Sequence, residues 1–123
     1  MRTWWLTVPD IFRTNRKDAN ISDTSSYLDL TPLYGRNQET QNTVRTFKDG
    51  LLKPDTFAEE RLLGQPPGVC VMLVMYSRFH NYVAQNLAAI NDDNRFDMPR
   101  QGDPDYDAKI KKRDNDIFQT ARL

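Results

Sequence analysis

The stretch PPGVCVMLVMYSRFHNYVAQNLAAI, residues 66–90, is the strongest helix signal in this 123-residue chain. Pro66 and Pro67 suit a helix start, because proline fits the first turn of a helix. We predict one helix over residues 67–91, roughly 40 Å long at 1.5 Å per residue. Its first turns are apolar all round, which predicts burial on every side. The residues that follow helical spacing are Val69, Met72, Leu73, Tyr76, Phe79, His80, Val83, Leu87 and Ile90.

The segments before this helix are shorter. Residues 1–14 are aromatic-rich and predict a short helix, and residues 15–23 predict a polar loop. Residues 24–34 predict an extended segment that Gly35 ends. Residues 51–65 predict mostly irregular structure. None of these segments predicts a substantial sheet.

Two further helices complete a mainly α fold class. Residues 37–47 predict a helix capped by Asn37 and followed by an Asp49-Gly50 turn. The last helix is predicted to start with Asp103 as cap and Pro104 as first helical residue. Its predicted inward residues are Tyr106, Ile110, Ile117 and Phe118.

The composition limits the core and the kinds of partner. With Gly counted in place of Tyr, apolar residues make up 38% of the chain, because five Gly replace five Tyr. Globular domains average roughly 45–50% on that count, so the deficit favours a chain that shares its core with further sequence. Lys and Arg number 17, as do Asp and Glu, so no net charge attracts nucleic acid or an anionic membrane. One basic run lies among aspartates and indicates a solvated helix face: Lys109, Lys111, Lys112 and Arg113.

Cysteine usage and hydropathy exclude further classes. A single cysteine, Cys70, excludes an internal disulfide and fits a reducing compartment. No signal peptide is recognisable at the start of the chain. The longest apolar run, residues 69–76, falls well short of the roughly 20 residues that a membrane span needs. We therefore predict no transmembrane segment.

The stretch TSSYLDLTPLYG, residues 24–35, places side-chain oxygens at every second position. These oxygens belong to Ser25, Tyr27, Asp29 and Thr31. On an extended backbone they face one side, and three of the side chains with the Tyr27 carbonyl could bind a hard cation such as calcium. A further carboxylate is then needed, with Asp10 and Asp23 as candidates. From spacing alone, a polar edge strand is favoured over a cation site.

The single histidine, His80, lies within the long predicted helix, beside Phe79. A lone helical histidine flanked by aromatic residues is usually a hydrogen-bonded packing residue and not a ligand. There is no cysteine pair for zinc and no phosphate-binding glycine loop in the sequence. The residues alone therefore assign no catalytic group.

Five segments, in order along the chain, resemble the haem peroxidase–cyclooxygenase superfamily, which includes the animal haem peroxidases. The segments are TSSYLDLTPLYG, VRTFKDG, RLLGQPPG, SRFHNYVA and FQTARL. They look most like the fungal fatty-acid oxygenase branch, the linoleate dioxygenase and diol synthase type, from about Asp10 to Leu123. The resemblance implies a helical fold around haem b. Residues 1–123 would then be a partial domain, an internal fragment truncated at both ends.

The resemblance also implies a chemistry and a metal site. Family members oxygenate unsaturated C18 fatty acids through a tyrosyl radical that the peroxide-oxidised haem generates. Calcium lies beside the distal haem histidine in this family. Its ligand motif maps onto Ser25, Tyr27 through the carbonyl, Asp29 and Thr31, with Asp10 as the remaining ligand. On this resemblance, the calcium site is favoured over the polar edge strand.

The same mapping shows where this sequence departs from the family. The family has histidine before the acid that maps onto Asp10, whereas this chain has Pro9. Proline cannot accept or relay a proton from peroxide, so the distal acid–base function is missing. The proximal histidine and radical-forming tyrosine of the family lie downstream of the segment matched by FQTARL. His80 matches the family's Arg-x-His-Asn helix motif, a structural position. Arg61 lies near the distal arginine of peroxidases, although an exposed or ion-paired arginine is the favoured interpretation.

These observations predict an oxidoreductase by family, a fragment of a haem-dependent fatty-acid dioxygenase or peroxidase. We expect this chain alone to be inactive, because both haem histidines are missing. The alternative is a non-catalytic calcium-binding or interaction module derived from that fold. The expected cofactors are haem b in the parent enzyme and calcium, and the expected partner is an unsaturated fatty acid. The predicted location is cytoplasmic, or peripheral to lipid bodies or membranes.

Overall fold

The computed structural model describes residues 17–18, 20–21, 30–64 and 66–122, and these residues form helices without a sheet. Between the described residues, extended backbone pairs at one isolated antiparallel bridge, from Arg45 to Leu52. The predicted mainly α fold class is confirmed. The elements in chain order are α1 (Thr31–Tyr34), α2 (Gln38–Val44), a 3-10 helix (Glu60–Gly64), α3 (Pro67–Ile90), a second 3-10 helix (Asp92–Asn94) and α4 (Tyr106–Ala121).

Helix α3 is the longest element and begins at Pro67, as the sequence predicts. It ends at Ile90, because Asn91 adopts the left-handed conformation with φ 45° and ψ 53°. Asparagine tolerates this conformation better than most residues, so it commonly ends helices. The prediction of a helix over 67–91 is therefore confirmed to within one residue.

The predicted burial of α3 on every side is wrong. Its buried residues lie on one face, namely Leu73, Ser77, His80 and Ala84. On the opposite face, the first turns expose about half of Val71, Met72 and Met75. Among the described residues, α1, α4 and the segment 49–62 pack against the buried face of α3, and the opposite apolar face is exposed.

Helix α4 begins at Tyr106 and not at Pro104, so the predicted start is too early. The carboxylate of Asp103 does not cap the helix, because it pairs with Lys109 Nζ at 2.7 Å. The Asp103 carbonyl accepts the Tyr106 N–H at 3.1 Å and closes a turn before the helix. The two C-terminal residues predicted to point inward, Ile117 and Phe118, are fully buried. Tyr106 and Ile110 are half-buried.

Helix α2 starts where the sequence predicts. The Asn37 side chain accepts the Thr40 N–H at 2.8 Å, and the Thr40 hydroxyl oxygen accepts the Asn37 N–H at 3.3 Å. This reciprocal capping box satisfies backbone donors that would otherwise lack partners. The helix ends at Val44, three residues before the predicted end, because Arg45 is extended and pairs with Leu52.

Helix α1 contradicts part of the predicted extended segment 24–34. Residues 31–34 form a helical turn, in which the Leu30 carbonyl accepts the N–H groups of Leu33 and Tyr34 at 2.9 and 3.0 Å. Pro32 near its start favours this conformation, because the proline ring fixes a helical φ. Residues 24–29 lie outside the described residues, as do the predicted helix 1–14 and most of the predicted loop 15–23.

The core of the described residues consists of two apolar clusters, and each contains residues of both α3 and α4. Of the stretch 51–65, predicted to be mostly irregular, the described residues 51–64 are irregular apart from the 3-10 helix Glu60–Gly64. The larger cluster contains Leu33, Tyr34, Val44, Leu52, Leu62, Leu73 and Phe118. The smaller contains Ala84, Phe96, Ile117 and Ala121.

Candidate functional site

Most of the predicted calcium ligands lie outside the described residues. These are Asp10, Ser25, Tyr27 and Asp29, together with Pro9 beside Asp10. The remaining one, Thr31, is the first residue of α1 and is half-buried, and its carbonyl accepts the Gly35 N–H at 2.8 Å. Among the described residues, no group of three or more His, Cys, Asp or Glu side chains is placed to hold a metal ion. The calcium site stays a prediction.

Arg61 lies on the 3-10 helix Glu60–Gly64, with an exposed side chain. Its Nε donates to Glu59 Oε1 at 2.8 Å, and its Nη2 donates to Glu59 Oε2 at 3.2 Å. This bidentate pair is a local surface contact of the kind that stabilises a fold little. A distal haem role for Arg61 stays a prediction.

His80 lies in the middle of α3 and is completely buried. Its ring packs edge-on against Tyr34 and tilted against Phe118, with ring centroids 5.5 and 5.2 Å apart. Both ring nitrogens have hydrogen-bond partners: Nδ1 is 3.1 Å from the Tyr34 hydroxyl, and Nε2 is 2.9 Å from the Gly50 carbonyl. The side chain therefore joins α1, α3 and the turn at residue 50.

The partners of His80 fix its tautomer. A carbonyl oxygen only accepts, so Nε2 carries a hydrogen and donates to Gly50. In the neutral ring, Nδ1 then accepts from the Tyr34 hydroxyl. Burial lowers the pKa of His80 below its ordinary value of 6.5, and the positive charge of Arg45 acts in the same direction. Hydrogen bonding to backbone carbonyls opposes this only in part, so the ring stays neutral at pH 7.

The turn at residues 49–52 is held by side chains from both long helices. On α3, the Asn81 amide accepts the Leu52 N–H at 2.8 Å and donates to the Leu52 carbonyl at 3.1 Å. On α4, Asp114 Oδ1 accepts the Gly50 N–H at 2.6 Å. Arg113 also forms an ion pair with Asp49. These side chains pair the backbone groups of Gly50 and Leu52, which lie outside any helix or sheet.

A buried ion pair lies beside this turn. Arg45 Nη2 is 2.6 Å from Asp114 Oδ2, and the two side chains are 5% and 7% exposed. The guanidinium carbon of Arg45 also lies 4.1 Å from the centre of the Phe118 ring, a cation–π contact. The Asp114 carboxylate thus pairs with the Arg45 guanidinium and also accepts the Gly50 N–H. The pair joins the end of α2 to α4 next to His80.

Sequence reasoning did not find this buried polar cluster, which we define as Arg45, Gly50, His80, Asn81 and Asp114. The Asp49-Gly50 turn signal and the His80 packing prediction each indicated one of its members. Arg45 and Asp114 are 69 residues apart, and no local pattern relates them. The only local signal is weak: Arg45 directly follows the apolar Val44, and the polar Thr46 comes after it.

The chemistry of the cluster is structural. A histidine that binds a metal or transfers a proton needs a ring nitrogen that can reach the reacting group. In His80 each nitrogen is already bound inside the fold, and the side chain has no exposed surface. The cluster fixes the turn at residue 50 against α3 and α4 and presents no open ligand position.

Comparison with known proteins decides the family. The model of the animal haem peroxidase family matches residues 7–66. The chain is 58% identical to psi-producing oxygenase A of Emericella nidulans over 118 residues, 96% of the chain. The chain belongs to the animal haem peroxidase family. It is also 59% identical to 7,8-linoleate diol synthase of Pyricularia oryzae over 114 residues, 93% of the chain, and 53% identical to a bifunctional dioxygenase–epoxy alcohol synthase of Fusarium oxysporum over 124 residues, 98% of the chain.

These family members are much longer than the chain, which spans 10–11% of their length. Their names describe oxidoreductases, so the chain is related to oxidoreductases of fungal fatty-acid metabolism. No solved structure gives a significant match. Within the described residues, no helix is both long and apolar enough to cross a membrane.

Proposed function

We propose that this chain is a part of a haem-dependent dioxygenase that oxygenates an unsaturated C18 fatty acid such as linoleate. The observation that carries the proposal is 53–59% identity, over nearly the whole chain, to fungal enzymes named as oxygenases, dioxygenases and linoleate diol synthases. Identity at this level over 114–124 residues supports shared placement of side chains as well as a shared fold.

We further propose that the chain by itself has no peroxidase or dioxygenase activity. Its only histidine is His80. Binding haem through His80 requires breaking the hydrogen bonds to Tyr34 and Gly50 and opening the core around the ring. At the position that precedes Asp10, the resemblance expects a distal histidine, and Pro9 stands there. The haem histidines of the active enzyme therefore come from other sequence.

Titration of the purified 123-residue chain with haemin tests the second proposal. We expect only a weak, broad Soret change and no peroxide-dependent oxidation above that of free haemin. His80→Gln serves as the control and should give the same spectrum. A sharp Soret band of a ligated haem that disappears in His80→Gln, or peroxide turnover by the chain, would show the proposal to be wrong.

We propose that Asp10, Ser25, Asp29 and Thr31, with the Tyr27 carbonyl, form a calcium site. Support comes from the family resemblance and from the donor set, since carboxylate, hydroxyl and carbonyl oxygens are the ligands that calcium prefers. A ligand that binds only the folded state raises the free energy of unfolding of the protein, by about 2.7 kcal/mol at a ligand concentration 100 times the Kd.

The calcium proposal predicts a rise in melting temperature with calcium and a smaller rise with magnesium. Asp29→Asn keeps the size of the side chain and removes its charge, so it should abolish most of the calcium-dependent rise. Asp107→Asn is the matched control, because Asp107 is an exposed residue of α4 outside the proposed ligand set. An equal calcium response in Asp29→Asn and the unchanged chain would contradict the site.

A further inference from the structure

A small polar pocket of about 230 Å³ lies between the start of α2 and the end of α4, outside the buried polar cluster. Its lining is almost entirely polar. The side chains that line it are those of two arginines and four amides: Arg36, Arg122, Asn37, Gln38, Gln41 and Gln119. Within the part of the chain that the structure describes, no carboxylate lines it. The pocket therefore presents positive charge and amide groups without a counter-ion of its own.

The two arginines of this pocket carry charge that no described carboxylate balances. Neither Arg36 nor Arg122 forms an ion pair with a described residue, whereas four other arginines do: Arg45, Arg61, Arg78 and Arg113. The guanidinium carbon of Arg122 lies 5.2 Å from the centre of the Tyr34 ring. This cation–π contact positions the side chain at the end of α4 and leaves its charge in place. Both guanidinium groups can therefore bind an anion at the pocket.

Gln41 is the buried member of the lining and is 6% exposed. Its side-chain amide makes no hydrogen bond to any residue that the structure describes. The amide is also not sealed inside the core, because the enclosed polar side-chain atoms without a partner are Arg45 Nε and Ser77 Oγ. It reaches the surface at the pocket. A buried amide is stabilised by a hydrogen-bond partner, so this position favours a ligand that binds it.

Gly35 brings the arginine of the α1–α2 connection to the buried glutamine. Its φ is 88°, and an added Cβ would lie 2.6 Å from Thr40 Oγ1 and 2.8 Å from the Gln41 backbone nitrogen. Glycine therefore lets the connection pass directly against α2, which places Arg36 at the same pocket as Gln41. The Thr40 N–H is already bound by the Asn37 side chain, so the groups left for a ligand are side chains.

We propose that this pocket binds a small phosphate-class oxyanion, held by Arg36 and Arg122 through charge and by the Gln41 amide through a hydrogen bond. A phosphate monoester carries about −1.5 to −2 charges at pH 7, which matches two arginines. A carboxylate carries one charge, and a single arginine can bind both of its oxygens. The hydrocarbon chain of a fatty acid would find almost no apolar surface here. Phosphate binding at this pocket does not depend on the proposed haem and calcium chemistry.

A larger cleft of about 490 Å³, between residues 95–103 and α4, fits an anion less well. It is lined by arginines and lysines, but carboxylates lie among them: Asp97, Asp103 and Asp116. Lys109 already pairs with Asp103 at 2.7 Å. The positive charge of this cleft is thus partly balanced inside it, and its residues Arg95 and Arg100 serve as controls.

Titration of the purified 123-residue chain with inorganic phosphate, followed by isothermal calorimetry, tests the proposal. Ionic strength is kept constant, and calcium is left out because it binds phosphate itself. The pocket variant is Arg36→Gln/Arg122→Gln. Its matched control is Arg95→Gln/Arg100→Gln, which removes the same charge and likewise one arginine–aromatic contact, that of Arg95 with Phe96 at 5.4 Å.

We expect saturable binding of one phosphate per chain, roughly tenfold or more weaker in the pocket variant and nearly unchanged in the control, because only the first loses charge-assisted hydrogen bonds. Gln41→Met keeps the length of the side chain without its amide and should weaken binding roughly threefold. Acetate should bind roughly tenfold more weakly than phosphate, since it carries less charge. Circular dichroism verifies that the variants fold alike.

Three results would overturn the proposal. These are no saturable phosphate binding by the unchanged chain, equal affinity in the unchanged chain and the pocket variant, and equal affinity for acetate and phosphate. A loss in the control as large as in the pocket variant has the same meaning, because it would show general attraction to surface charge.

Vesicles distinguish a soluble phosphate compound from a lipid headgroup. Phosphatidylcholine vesicles with phosphatidic acid present a phosphate monoester, and vesicles without it do not. Sedimentation of the chain that requires phosphatidic acid and is lost in Arg36→Gln/Arg122→Gln supports the proposal with a headgroup as the source. Phosphate binding without such sedimentation supports it with a soluble compound as the source.

Discussion

At the scale of a single residue, Gly50 shows why the turn that packs against the two long helices requires glycine. Its φ of 69° lies in the left-handed region. A Cβ placed there would be 2.6 Å from the backbone nitrogen of Phe118 and 2.8 Å from Ile117 Cγ2. The backbone of α4 cannot move away without losing the Asp114 hydrogen bond to the same glycine.

Replacement of Gly50 by alanine should lower the free energy of unfolding by about 3 kcal/mol, since backbone strain and overpacking each contribute. Gly102→Ala is the control, because Gly102 also has a positive φ, 105°, but no atom lies within 4 Å of its added Cβ. We expect about 1–2 kcal/mol there, from strain alone. Urea unfolding measures both. Equal losses would mean that contact with α4 does not matter.

His80 predicts how stability depends on pH. Its pKa is lowered in the folded state, mainly by burial, relative to 6.5 in the unfolded chain. Above pH 6.5 neither state binds the proton. As pH falls below 6.5, the unfolded chain binds it and the folded chain does not, so the free energy of unfolding decreases until the folded pKa is reached.

The titration of His80 changes the free energy of unfolding by at most about 1.4 kcal/mol per pH unit. His80→Gln should flatten the dependence of unfolding free energy on pH just below 6.5, while lowering stability at pH 8 through the lost hydrogen bonds and packing. Denaturant unfolding at several pH values checks this. The same slope in both proteins would assign the titration to another group.

At the scale of elements, α3 has two faces with different roles. The buried face combines apolar packing with two adjacent polar side chains, His80 and Asn81, that bind the turn at residues 50–52. Asn81 bonds both the N–H and the carbonyl of Leu52, as a neighbouring strand would. The turn is therefore fixed to α3 without a sheet.

Asn81→Ala should lower the free energy of unfolding by about 2 kcal/mol, because both Leu52 backbone groups lose their partner in a partly buried position. Asn86→Ala, four residues before the end of the same helix, provides the control. The Asn86 amide bonds only the Tyr82 carbonyl of its own helix, at 2.7 Å, so we expect a change within about 0.5 kcal/mol. A comparable loss in both variants would indicate an effect on α3 itself.

At the scale of the whole molecule, the described residues bury one face of α3 and leave large apolar side chains of the opposite face exposed: Val71, Met72, Met75, Tyr76, Phe79 and Tyr82. A contiguous apolar surface on a folded chain should bind a hydrophobic dye such as ANS. Dye fluorescence should fall in Met75→Gln/Phe79→Gln and not in Leu63→Gln/Ile90→Gln. Both pairs are exposed, so each should change the melting temperature by only a few degrees. Undiminished dye binding in Met75→Gln/Phe79→Gln would place the apolar surface elsewhere.

Helix starts, caps and turns could be predicted from the sequence where neighbouring residues alone determine them. The start of α3 at Pro67, the Asn37 cap and the Asp49-Gly50 turn follow from backbone preferences of one or a few residues. The start of α4 was predicted too early because Asp103 bonds Lys109, six residues further along, and does not cap the helix. The proposed calcium ligands rest on spacing and family resemblance, since most of them lie outside the described residues.

The helical fold class and the relationship to fatty-acid dioxygenases could be predicted from the sequence, because helical spacing and ordered motifs depend only on the order of residues. Which face of α3 is buried depends on the tertiary structure, since apolar residues surround its first turns and the buried face is the one on which α4 and the turn at residue 50 pack. The tertiary structure also brought Arg45 to Asp114 and His80 to Gly50. Partners 30 to 69 residues apart meet through the path of the chain, which no local preference specifies.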